Sequence, residues 1–195
     1  PSRYGIGDMG ANAVRFADRL AESHQRYWQV LPLNPTNPLN GNSPYFSSSA
    51  FAGTPLFIDP ETLVETGLLT SADIESPPAF PADRVDYDMV RRYKFPLLEK
   101  AFSRFESLPD RSSFDSFCSR ESFWLDTYAL FTVLKRHFDG KAWNRWPDEY
   151  KYRDADALKD AERKYAGEIL KVKFYQYCFF TQWTDFKRYC NTKQI

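Results

Sequence analysis

Ser43, Tyr45 and Ser47 stand within "NGNSPYFSSSAFAG" (residues 40–53), a stretch of hydroxyls, amides and aromatic rings without a single charge. Hydroxyls both donate and accept hydrogen bonds, and aromatic faces cover apolar surface. These residue types suit a neutral, hydroxylated ligand. Ser43, Tyr45 and Ser47 would exchange hydrogen bonds with it, and Tyr45 and Phe46 would face the apolar side of a sugar-like ring. The competing reading is a polar turn, in which Asn42 and Ser43 serve the loop's own backbone.

No second constellation competes with this loop. His24 and His137 each stand alone near a helix end, and no G-x-S-x-G elbow supplies a nucleophile. Asp18, Glu22, Glu99, Asp160, Glu162 and Glu168 are spread over helix faces, as solvated charges are. Asp59 follows "LFI" but precedes Pro60, where a helix cap explains it. Catalytic residues are therefore expected to be none, and metal ligands none. Gly5, Gly7 and Gly10 spell G-x-G-x-x-G, yet no strand precedes them and no acidic residue follows "YWQVLPL" to hold a ribose. No cofactor is expected. Cys118, Cys178 and Cys190 are widely spaced; Cys178 and Cys190 are expected to pack as small apolar groups, which suits a reducing, cytoplasmic location.

The elements that would position the loop can be read from periodicity and punctuation. Ala13, Val14, Phe16, Ala17, Leu20 and Ala21 form an apolar face at helical spacing, with Asp8 as its expected cap. "YWQVLPL" (27–33) reads as a buried strand ended by Asn34 and Pro35. Asp59, Pro60 and Gly67 delimit a short helix, and Thr70 with Asp73 predicts a capping box. After "SPPAFPADR" (76–84) the chain reads helical almost throughout. An apolar face runs over 86–106, where Pro96 should kink or restart the helix. A second helix covers 119–138 and closes near Gly140. "AWNRWPDEY" reads as a non-helical turn, and a last helical region runs from Asp154 to Asn191, with its aromatic second half the most buried.

Composition narrows the partners. Twenty-six basic residues balance 26 acidic ones, which gives no electrostatic reason to expect nucleic acid or an anionic membrane. No apolar run approaches the ~20 residues of a membrane span, and no signal peptide is visible. Seventeen Phe, 12 Tyr and 5 Trp must fill the core and leave some faces for stacking.

Six segments together carry a resemblance: "YGIGDMG", "RYWQVLPLNPT", "SPYFSSSAFAGTPLFID", "VDYDMVRRYKFPLLEKAF", "WLDTYALFTVLKRHFDGKAWNRWP" and "FYQYCFFTQWTDFKRYCN". In this order they resemble the N-terminal part of the amylomaltases, 4-α-glucanotransferases of the α-amylase clan. The resemblance implies an α/β fold, an incomplete (β/α)8 TIM-barrel fragment with a large, mainly helical insertion. Residues 1–53 would be partial barrel, 54–155 the inserted subdomain and 156–195 an aromatic barrel helix. The first strand would lie before Pro1 and the third after Ile195.

It also implies transfer of α-1,4-glucan segments between maltooligosaccharides through a covalent glycosyl-enzyme, run by carboxylates beyond residue 195. This piece alone would then be inactive. Ser43, Tyr45 and, more loosely, Ser47 are the substrate contacts carried over. Trp143, Trp146 and Tyr87 are expected to pack in core or hinge rather than hold a remote glucan. The alternative is a non-catalytic helical carbohydrate-binding module that kept the loop without the chemistry.

Overall fold

Short-range chemistry sets the helix ends. Asp59 accepts from the Thr62 backbone N–H at 2.9 Å, Pro60 occupies the first turn, and Gly67 takes a left-handed φ of 76° just past the end. The helix between them is Pro60–Glu65. Thr70 and Asp73 form the reciprocal capping box that opens Ser71–Ile74. The computed structural model describes residues 2–195, and in chain order its helices are α1 (Ala11–Glu22), α2 (Pro60–Glu65), α3 (Ser71–Ile74) and α4 (Tyr87–Glu106). They continue with α5 (Ser112–His137), α6 (Asp148–Lys151), α7 (Ala155–Lys164) and α8 (Ala166–Thr192). Three 3-10 turns, Pro38–Asn40, Pro55–Phe57 and Trp143–Arg145, lie between them.

The described residues contain no strand, and this overturns the expected (β/α)8 barrel fragment and its α/β class. Residues 27–33 are irregular chain. A strand exists only through its ladder, and among the described residues the backbone of this segment makes one hydrogen bond to a distant segment, the Leu33 carbonyl oxygen accepting from Thr54 N–H at 2.8 Å. The side chains follow suit: Tyr27 is 92% exposed, and Val30 and Leu31 are also exposed. Trp28 anchors the segment instead, its ring 4.8 Å from Phe16 and edge-on to Phe186 at 5.8 Å.

Other departures are local. The N-cap of α1 is Gly10, not Asp8, because the Asp8 carboxylate is committed to Lys94. Helix α4 runs unbroken through Pro96. Burial of Val90, Leu97, Leu98, Ala101, Phe102 and Phe105 on both sides of the proline offsets an interior-proline cost of about 3 kcal/mol. Part of "AWNRWPDEY" coils, into one 3-10 turn and α6.

Two compact units emerge. One comprises the described residues up to Asp110 together with Cys178–Ile195, and its core includes Ile6, Leu56 and Val90 with Phe57, Phe80 and Phe95 around them. The other is Arg111–Tyr177, in which Leu130, Leu134, Trp146 and Ala161 form one cluster and Ala129, Val133 and Val172 another. Trp146 is buried, with its indole N–H donated to the Lys141 carbonyl oxygen, whereas Trp143 is exposed. Cys178 and Cys190 are buried as expected, and all three cysteines are free.

Within the first unit, Asp73 ties α3 to α4. It accepts from Arg104 at 2.6 Å and Lys100 at 2.7 Å, and caps Thr70 N–H at 2.8 Å. Arg104 first, then Lys100, holds its carboxyl below the ordinary 3.8. A carboxyl depressed in the fold stabilises it above its unfolded value and loses that contribution as pH falls below it. Asp73→Ala should therefore cost about 1 kcal/mol at pH 7, the usual worth of a cap. In urea titrations the gap between wild type and variant should close as pH falls below 3.8; a gap constant with pH would contradict this.

Candidate substrate-binding loop

The segment between Asn34 and Thr54 is shaped by its own side chains. Asn37 accepts from Leu39 N–H and, through its carbonyl oxygen, from Asn40 and Asn42 N–H. Gly41 and Asn42 both take left-handed φ values, 63° and 57°, which glycine and asparagine tolerate best. The Asn34 amide donates across the base of the loop to the carbonyl oxygens of Ser49, at 2.7 Å, and Ala52, at 3.3 Å. Ser49 Oγ accepts from the N–H groups of Phe51 and Ala52.

The three sequence-predicted residues differ in what they can still offer. Ser43 Oγ accepts from Tyr45 N–H at 3.4 Å, which leaves its proton without an acceptor among the described residues. Ser47 donates its proton to the Ser49 carbonyl oxygen at 3.0 Å and accepts from Ser49 N–H at 3.3 Å. A hydroxyl has one proton, so Ser47 in this arrangement can only accept from a ligand. Tyr45 is 71% exposed, and Phe46 and Phe51 are exposed beside it in sequence. The serines brace the turn, and the rings face solvent.

The loop is tied to its unit by residues that sequence reasoning did not single out. Arg91 on α4 donates through Nη2 to Asn42 Oδ1 at 2.5 Å and to Thr36 Oγ1 at 3.4 Å. One helical step on, Lys94 donates to the carbonyl oxygens of Leu56 and Ile58, each at 2.9 Å, and to Asp8 Oδ2 at 3.0 Å. Burial pushes the Lys94 ammonium down from its ordinary value, against the pull of Asp8. Burial likewise pushes the Asp59 carboxyl up, opposed by the Thr62 N–H. The signal for Arg91 and Lys94 was weak because charges three apart on a helix normally mark a solvated face.

A cavity of about 600 Å³ in the same unit is lined by Phe16, Trp28, Trp183 and Phe186 with Asn12 and Asp8, and by none of Ser43, Tyr45 or Ser47. The glycine-rich turn is not shaped for phosphate: a methyl at Gly10 would lie 2.6 Å from Asp59 Oδ1, so the start of α1 faces a carboxylate. His24 is exposed, and His137 is exposed beside the Tyr165 hydroxyl. Among the described residues no group of three His, Cys, Asp or Glu side chains could hold a metal ion. No helix among them is long and apolar enough to cross a membrane.

A family model described as 4-alpha-glucanotransferase matches residues 1–195. The chain belongs to this family. It is 44% identical over 198 residues to the 4-alpha-glucanotransferase of Aquifex aeolicus, covering 100% of this chain and 39% of the relative. To that of Thermus thermophilus it is 43% identical over 190 residues, covering 96% and 37%. Among solved structures it is similar to "Amylomaltase from Streptococcus agalactiae in complex with acarbose", with a TM-score of 0.91 at 35% identity, covering 100% of this chain and 39% of that one. The chain thus spans about two-fifths of the length of the relatives it matches.

Proposed function

We propose that this chain is the substrate-holding part of a 4-α-glucanotransferase, which moves α-1,4-glucan segments between maltooligosaccharides by a retaining, covalent mechanism. The observation that carries the reading is the uncharged loop with an uncommitted Ser43 proton and an exposed Tyr45 ring, in a chain whose relatives over its whole length carry that name. Ser43 donates to a glucose hydroxyl, Ser47 accepts from one, and Tyr45 stacks on or hydrogen-bonds to the ring. The ligand is an α-glucan, in keeping with the acarbose complex of the similar amylomaltase. Asp8 is held by Lys94 and Asp59 caps α2; the family resemblance assigns the covalent chemistry to carboxylates beyond residue 195. Three free cysteines and the absence of charge imbalance suit a cytoplasmic enzyme without a nucleic-acid partner.

Maltotriose disproportionation by the full-length protein and its Tyr45→Ala variant tests this. The variant should lose about 1–3 kcal/mol of transition-state stabilisation, roughly 5- to 150-fold in kcat/KM. An unchanged rate removes Tyr45 from the site. Glucan binding without transfer by the full-length protein would instead establish a carbohydrate-binding module.

A further inference from the structure

The hydrogen bonds inside residues 37–51 close over short spans: Asn37 to Asn42, Asn40 to Ser43, Ser43 to Phe46, Ser47 to Ser49. Bonds of this kind fix the shape of a loop but not where it stands. Placement needs a tie to something rigid, and α4 is a 20-residue helix with seven buried side chains. Arg91 on that helix reaches Asn42 and Thr36, residues 49 and 55 positions away in sequence.

Its guanidinium is itself held. It lies over the Tyr87 ring at 5.7 Å and pairs with Asp88 at 3.7 Å, and the side chain is only 19% exposed. Asn42 Oδ1 receives both Arg91 Nη2 and the Thr36 hydroxyl, and Asn42 immediately precedes Ser43. We infer that Arg91 is a positioning residue: through Asn42 it sets where Ser43 and Tyr45 stand for glucan. The inference rests on the proposed function of that loop.

The two ends of the hydrogen bond can be removed separately. Arg91→Met keeps the aliphatic stem and removes the donors, along with the guanidinium over Tyr87. Asn42→Gly removes the acceptor at a φ of 57° that glycine adopts freely. In the full-length protein each should raise KM for maltotriose about 5- to 20-fold with kcat changed less than about threefold. The double variant should be no worse than the poorer single, since one interaction cannot be lost twice. Asn42→Asp keeps an acceptor oxygen and should recover much of the loss.

Additive effects of the two variants, or no effect of either on KM, would overturn the assignment. Chymotrypsin cleavage at Tyr45 and Phe46 separates this from the glucan reading. If Tyr45→Ala leaves kcat/KM unchanged, the glucan reading of Tyr45 fails and KM no longer reports on where the loop stands. Faster cleavage in both Arg91→Met and Asn42→Gly would still establish that Arg91 holds the loop, and unchanged cleavage in both would refute it.

Discussion

Lys94→Met should destabilise the first unit by about 3–5 kcal/mol, the cost of removing one partner from a buried ion pair. The side chains of Lys94 and Asp8 are each 2% exposed. The ammonium has three protons and three acceptors: Asp8 Oδ2, the Leu56 carbonyl oxygen and the Ile58 carbonyl oxygen. Methionine fills most of the volume but leaves a buried carboxylate beside two unpaired carbonyls. It does so next to Asp59, whose own carboxyl is already pushed up by burial and by Asp8. The second partner distinguishes charge from packing. In Lys94→Met/Asp8→Leu the orphan carboxylate is gone, and more than half of the loss should return. Urea midpoints at constant slope measure both. A loss below about 1 kcal/mol for Lys94→Met, or no recovery in the double variant, would show that the pair contributes through packing alone.

The same pair marks the limit of what the sequence discloses. Signals whose physics is complete within a few residues were legible. Asp59 with Pro60 and Gly67, and Thr70 with Asp73, end helices where their chemistry requires, because donor and acceptor lie three residues apart. Helices α1, α4 and α5 lie where apolar spacing predicts helix, and α7 with α8 fills the last predicted helical region, although α5 starts at Ser112, earlier than expected. Residues 27–33 misled because apolar β-forming residues state a preference, whereas a strand needs a neighbour. Asp8 reads as a cap because its cationic partner lies 86 positions away. The loop was singled out by its composition, but its bracing by Ser47 and its tie to Arg91 are tertiary facts. No local pattern distinguishes Arg91 from Arg92, which follows it on the same helix.

Phe179→Ala should be the other large effect, about 3–5 kcal/mol, because it empties space beneath a fully packed ring. Phe179 on α8 is 3% exposed and lies against Gly53, the last residue of the loop segment. A methyl group at Gly53 would come within 2.1 Å of ring carbons Cδ1 and Cε1, so the backbone and the ring occupy touching surfaces that admit no side chain between them. Gly53→Ala should accordingly cost about 1–3 kcal/mol by overpacking. The two defects are opposite in sign, one a void and one a clash, and they meet at one contact. Gly53→Ala should therefore be tolerated better when Phe179 is leucine than when it is phenylalanine, a coupling that urea titration of wild type, the two single variants and the double variant measures. Additive effects would mean that the ring yields without strain and that Gly53 is not held by it. Coupling would place the trailing end of the loop on α8, as Arg91 places its leading end on α4.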